Sequence, residues 1–243
     1  MLRKVSHTSP CSASGIFSCN ICAVRGVAMC ADLTPENHEK LEQIMQHRFL
    51  ADGETLYHEG DERRYVYSVT NGAMRLLKTL PDGRRFIAGF LLPGDFIGLT
   101  DGDKHNLTAE AIKDCELCVF EREELEKFMV NNHEIKDRIL AMTKCALRVA
   151  HESQLILGRF SPVEKIARFI LDMNDRINGL DQEKKLVVLP MNRTDIADYL
   201  GLTIETVSRS FSKLKAQGLI RLANSTIVTI LNKDELARIA AKI

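Results

Sequence analysis

The sequence predicts an α+β chain: a small β-barrel of jelly-roll type, then a long helix, then a winged helix-turn-helix module. Three observations carry that reading. Between residues about 50 and 120, short β-prone runs alternate with glycine turns, the pattern of a small antiparallel barrel. From 135 to 157, apolar residues recur at alternating steps of three and four, the period of one long helix. From 192 to 214, two helical stretches are separated by Gly201, the small residue that a tight turn between helices needs.

Composition sets the bounds. With 243 residues, 45% of them apolar and 27% charged, the chain can bury the core of one large domain or two small ones. Lys+Arg and Asp+Glu balance at 33 each, so any nucleic-acid contact must come from a local patch rather than a global field. No run of eighteen or more apolar residues is present, so no segment is expected to span a membrane. Ser, Cys and Gly interrupt every apolar stretch among the first thirty residues, which argues against a signal peptide. The expected location is the cytoplasm, where clustered cysteines read as metal-binding or redox-active rather than as disulfides.

Residues 1–33 are polar and aperiodic, an arm that carries Cys19, Cys22 and Cys30 in a Cys-x2-Cys-x7-Cys spacing. One loop can wrap three such thiolates around a single metal centre. Cys11, Cys115, Cys118 and Cys145 are candidates for a fourth ligand. Soft thiolates select zinc, copper(I) or an iron–sulfur cluster, and the spacing alone does not choose.

The barrel is placed at 34–122. It opens on a short helix with Thr34 as N-cap, Pro35 in the first position and Leu41, Ile44 and Met45 at helical spacing. Strand-like runs follow at 53–57, 65–69, 73–78, 86–91 and 117–120. Turns fall at Gly60-Asp61, Asn71-Gly72, Pro81-Asp82-Gly83 and Pro93-Gly94-Asp95.

Residues 123–160 read as a dimerisation helix. Ile139, Met142, Ala146, Val149, Ser153 and Ile156 form a coiled-coil-like seam, and small Ala146, Ala150 and Ser153 would let two helices approach closely. The alternative is a helix packed on its own barrel. The element is longer than the barrel it would cover, which favours a partner helix and a homodimer.

Ser161, Pro162 and Glu164 compose a capping box that opens the third domain, 161–243. Within it the first helix of the pair buries Ile196, Ala197 and Leu200; Thr203 caps the second, which buries Ile204, Val207, Phe211 and Leu214. A strand at 186–189 and a hairpin from 217–221 and 225–230 complete a wing. In such a module the second helix enters the major groove of double-stranded DNA. Its remaining residues include Glu205, Ser208 and Arg209. Glu205 can accept from a cytosine amino group, Arg209 can donate in bidentate fashion to guanine, and Ser208 is permissive. Arg193, Thr203, Lys213 and Lys215 suit phosphate. The competing reading is a solvated charged face. An acidic residue on a DNA-facing helix makes electrostatic sense only if it reads a base edge. No Gly-rich phosphate loop, paired catalytic carboxylates or nucleophile–base set is present, so no enzyme is expected.

With arm, barrel, long helix and winged helix in this order, nearly the whole chain resembles the CRP/FNR family of bacterial transcription regulators. It looks most like the oxygen-responsive FNR branch of the FnrN/FnrL type. The residues that carry the resemblance are the Cys19-x2-Cys22-x7-Cys30 spacing and Glu205-Thr206-Val207-Ser208-Arg209. The resemblance implies a cyclic-nucleotide-binding-like barrel and a [4Fe–4S] cluster held by Cys19, Cys22, Cys30 and Cys118, with Cys115 in reserve. It also implies a dimer on a TTGAT-N4-ATCAA-like palindrome read by Glu205, Ser208 and Arg209, and RNA polymerase as a partner. The stretch 98–109, which matches the phosphate cassette of cyclic-nucleotide members, has no arginine and two aspartates, so cAMP is not an expected effector. The FNR pattern carries an aspartate on the dimer seam where this chain has Ala150. Dimerisation is therefore expected to depend less on the cluster than the pattern implies. The rival expectation is a regulator of the same fold with structural zinc or redox-active thiols and no oxygen-labile cluster.

Overall fold

A computed structural model describes residues 19, 22–98, 102–179 and 184–241. The first helix, α1 (Pro35–Gln43), is capped as its sequence suggests: the Asn37 N–H donates to Thr34 Oγ1 at 3.3 Å. It stops earlier than the apolar spacing predicts. Ile44 is the C-cap and Met45 already opens a strand, so the shared helical face of Leu41, Ile44 and Met45 is interrupted.

Eight strands follow: β1 (Met45–Leu50), β2 (Thr55–Tyr57), β3 (Tyr65–Asn71), β4 (Met74–Thr79), β5 (Arg85–Leu91), β6 (Phe96–Ile97), β7 (Thr108–Ala111) and β8 (Cys115–Glu121). They form two four-stranded antiparallel sheets, ordered β1-β8-β3-β6 and β2-β7-β4-β5. The two sheets enclose a core that includes Tyr67, Val69, Met74, Cys115 and Leu117. Side chains alternate along a strand. Tyr67 and Val69 of β3, with Leu117 and Val119 of β8, therefore point inward, while Val66 and Phe120 belong to a second core outside the barrel. Gly72 turns between β3 and β4 with φ +86°; a Cβ there would stand 2.1 Å from the Asp114 carbonyl oxygen, so the turn needs glycine.

The helix expected from 123 onward is two helices, α2 (Arg122–Asn131) and α3 (His133–Arg159). Asn132 breaks them, with extended backbone and its Nδ2 donating to the Phe128 carbonyl at 2.7 Å. A short amide side chain that bonds nearby backbone competes with helix continuation. The 27 residues of α3 span about 40 Å at the usual rise. Its first turns are covered by the chain itself: Ile135 and Ile139 share the outer core with Met29, Leu33, Leu41 and Phe120, and Met142 packs at its edge. Ile139 therefore follows the own-barrel alternative, not the seam. Beyond it the apolar face is bare. Val149 on the continuing stripe is 46% exposed, and Ala146 and Ala150 are exposed with it. Leu140 and Leu147, on the other side of the helix, are exposed as well.

The C-terminal part comprises α4 (Pro162–Asn178), β9 (Leu186–Val188), α5 (Arg193–Leu200), α6 (Ile204–Ala216), β10 (Ile220–Leu222), β11 (Ile227–Ile230) and α7 (Lys233–Ala240). The Ser161–Glu164 capping box is formed. The wing is a three-stranded sheet, β10-β11-β9. The closing helix α7, absent from the sequence expectation, is capped by Asn232. This module is docked on the barrel. Leu77, Ile87 and Phe90 of β4 and β5 belong to one apolar cluster with Phe169 of α4 and Val207 of α6. The Phe90, Phe169 and Tyr199 rings lie 5.3 to 6.3 Å apart, centroid to centroid.

Candidate thiol centre and nucleic-acid interface

The arm returns over the outer face of the β1-β8-β3-β6 sheet. Val24, Ala28, Met29 and Leu33 are buried there, and the packing brings Cys19, Cys22 and Cys30 to one cavity with Cys118 of β8. The cavity has a volume of about 30 Å³. Cys118 reaches it because it sits one position from Leu117 and Val119, on the face opposite the barrel core. Cys115, an odd number of positions away, points inward. It is fully buried, and its Sγ donates to the carbonyls of Ala73 at 3.1 Å and Lys113 at 3.0 Å. Cys145 is exposed on α3, and Cys11 lies outside the described residues.

Burial pushes the Cys19 thiol up to about 11, helped by Glu42, Cys30 and Cys22. Burial, then Cys19, Cys22 and Cys30, pushes Cys118 up to about 12. Burial and neighbouring thiols favour the neutral form of Cys19, Cys30 and Cys118, and a cationic metal centre would reverse that balance by deprotonating its ligands. The donor chemistry is that of a soft thiolate site. Among the described residues, no three His, Cys, Asp or Glu side chains converge within the reach of a single ion. A four-iron cluster would not need that convergence, because each cysteine can bind a different iron, so four thiols on one cavity are compatible in donor chemistry with such a group. One polar atom of the lining stands out. Ser68 is 4% exposed, and its Oγ has no hydrogen-bond partner; a buried polar atom left so typically costs about 1–3 kcal/mol.

The second candidate surface is α6. Gly201 is left-handed, φ +62° and ψ +44°, and ends α5. Lys165, itself buried, donates from Nζ to the Leu200 carbonyl at 3.1 Å and satisfies that end. Thr203 caps α6, accepting from the Thr206 N–H at 3.2 Å. Val207, Phe211 and Leu214 are buried as expected, but Ile204 is 44% exposed. Ser210 takes the other inward position, its Oγ donating to the Thr206 carbonyl at 2.8 Å. Ile204 is the first helical residue after the cap, where the chain has not yet turned its face to the core. Glu205, Ser208, Arg209 and Lys213 all project to the exposed side. Arg209 donates to Thr206 Oγ1 at 3.2 Å, which holds its guanidinium along the helix. The Glu205 carboxyl is held below its ordinary value by its own backbone N–H and by the Thr203 hydroxyl. Arg193 is placed differently from the phosphate role expected of it. Its guanidinium carbon lies 3.2 Å from the Phe211 ring centroid, and burial lowers it to about 10. That is a cation packed on an aromatic face rather than one held out to solvent.

A jelly-roll barrel, a long helix with a bare apolar face and a docked winged helix-turn-helix with an exposed second helix define a DNA-binding transcription regulator. Comparison with known proteins agrees at both ends of the chain. Residues 47–132 match the cyclic nucleotide-binding domain and residues 164–239 the Crp-like helix-turn-helix domain. The transcriptional activatory protein AadR of Rhodopseudomonas palustris is 43% identical over 84% of this chain and 86% of its own length. The nitrogen fixation regulation protein FixK of Bradyrhizobium diazoefficiens is 39% identical over 92% and 94%, and the transcriptional activator protein FnrL of Cereibacter sphaeroides 37% over 88% of each. The solved structure of FixK2 from Bradyrhizobium japonicum superposes with a TM-score of 0.76 at 38% identity, covering 82% of this chain and 99% of that one. The chain belongs to the CRP/FNR family of transcription regulators, within its FNR branch. No described helix is long and apolar enough to cross a membrane.

Proposed function

We propose that this chain is a cytoplasmic, homodimeric transcription activator that responds to oxygen through a [4Fe–4S] cluster on Cys19, Cys22, Cys30 and Cys118. The observation that carries the reading is the single cavity lined by these four cysteines, with Cys115 turned into the barrel core. Bound there, the cluster would supply a redox-active, oxygen-labile bridge between arm and barrel. The protein's own residues supply the rest. Met29 and Leu33 of the arm share a core with Ile135 and Ile139, so the arm's position bears directly on the first turns of α3. The stripe of α3 that continues past Ile139 through Met142, Ala146, Val149, Ala150, Ser153 and Ile156 joins two protomers. Each then presents Glu205, Ser208 and Arg209 to one half of a TTGAT-N4-ATCAA-like palindrome, with Thr203 and Lys213 at phosphates. Activation involves contact with RNA polymerase, in keeping with the activator names of AadR and FnrL. The 98–109 stretch offers no arginine to a cyclic phosphate, so cAMP is not the effector; Leu99, Thr100 and Asp101 of it lie outside the described residues.

The test is anaerobic purification followed by iron and sulfide analysis and absorbance near about 400 nm, where thiolate-ligated clusters absorb. Each cysteine is then replaced by serine. Loss of iron and sulfide at Cys118→Ser but not Cys115→Ser is the expected outcome. Bound zinc without sulfide, or loss at Cys115→Ser alone, would overturn the assignment.

A further inference from the structure

Ser68 stands directly opposite Cys118 in the β3–β8 ladder, where cross-strand side chains on one face are in contact range. Both leave the barrel core and line the cysteine cavity. The Ser68 hydroxyl is buried and unpartnered. The other hydroxyl of the lining, Thr70, already donates to the Glu116 carbonyl at 2.9 Å. Leu41, Met45 and Phe120 offer it no oxygen acceptor, and Arg25 is a donor only. By elimination, the strong acceptors that the cavity's side chains can present to Ser68 are sulfurs carrying negative charge.

We infer that Ser68 is a positioning residue for the proposed centre: its hydroxyl donates to a ligand or cluster sulfur beside Cys118 and sets how readily that centre is lost in air. The inference rests on the cluster reading above. A hydrogen bond to a metal-bound sulfur favours the state in which that sulfur is more negative, which is the reduced one, and so raises the reduction potential. Removing it lowers the potential and leaves the centre easier to oxidise.

The experiment uses the full chain, purified anaerobically as wild type, Ser68→Ala and Ser68→Thr. Iron and sulfide content, thermal melting, midpoint potential and absorbance decay in air-saturated buffer are measured on each. Ser68→Ala is expected to load, to have a lower potential and to bleach about tenfold faster, the lower end of outer-shell effects on metal sites. Ser68→Thr, which keeps the hydroxyl, restores both values. Failure of Ser68→Ala to load, with a wild-type melting curve and loading regained in Ser68→Thr, also counts for the inference. Wild-type potential and bleaching in Ser68→Ala overturn it while leaving the cluster reading intact. A wild-type protein without iron and sulfide overturns both.

Discussion

Arg209 stands on the outward face of α6, its guanidinium held along the helix by the Thr206 hydroxyl, while Arg193 packs on the Phe211 ring. The outward face of the second helix, read as what its apolar positions leave over, includes Glu205, Ser208 and Arg209, and all three are exposed. The expected buried set departs from the structure at Ile204, where the helix has barely begun, and Ser210, which the apolar pattern does not place, goes inside on a backbone acceptor. Arg193 was not legible as a packed residue, because its partner Phe211 lies on the other helix of the pair. These placements divide the cations by what they should do on DNA. Arg209→Ala should cost about 1–3 kcal/mol of operator binding and relax preference at one base pair of each half-site. Lys213→Ala should weaken specific and unrelated DNA alike and reduce the salt slope by about one. Titrations of both variants on operator and scrambled duplex at several salt concentrations separate the two roles. Equal losses on both duplexes for Arg209→Ala would remove it from base reading.

At the level of elements, periodicity found α3 but not its beginning. Asn132 ends α2 by bonding the Phe128 carbonyl, a local choice that an apolar count cannot register. β1 escaped for a related reason: its burial runs from half-buried through four exposed positions to one buried residue, without the alternation that marks a half-buried strand. The apolar stripe on α3 is one helical face with two coverings: Ile135 and Ile139 pack against the arm, and the same face continues through Ala146, Val149 and Ala150, which are exposed. Ala150 therefore sits on the part of the helix that a second protomer would cover. Burying a like-charged pair there would cost several kcal/mol, and alanine incurs none of it. The cluster-free wild type should sediment as a dimer at micromolar concentration, and Ala150→Asp should sediment as a monomer under the same conditions. A monomeric wild type would show that the neutral seam does not free dimerisation from the arm.

Across the whole molecule, the feature least legible in the sequence is the docking of the DNA-binding module on the barrel. Arg75 of β4 donates to Asp195 of α5 at 2.6 Å and also to Glu110 of β7, and Arg85 of β5 donates to Asp198 at 2.8 Å. Arg75 and Asp195 are 120 positions apart, so nothing in either local pattern announces the pair. It spans the same interface as the Phe90–Phe169–Tyr199 aromatic group, and together they fix where α5 and α6 sit relative to α3. The side chains of Arg75 and Asp195 are 13% and 2% exposed. Removing the cation takes the nearer partner from Asp195 and the partner of Glu110. Breaking a buried pair costs up to about 3–5 kcal/mol, with Arg85 offsetting part of it at Asp195. An exposed pair such as Arg64–Glu62, with side chains 71% and 66% exposed, is screened by solvent and contributes little. Arg75→Ala should therefore lower the melting temperature well beyond Arg64→Ala. It should also split the calorimetric transition in two, as barrel and winged helix cease to unfold as one cooperative unit. Asp195 retains Arg85 at 3.4 Å and the Asn192 backbone N–H at 3.4 Å, so the module itself should keep its fold and its isolated transition. Identical single transitions for Arg75→Ala and Arg64→Ala would mean that the apolar and aromatic contacts hold the two parts together without the ion pair.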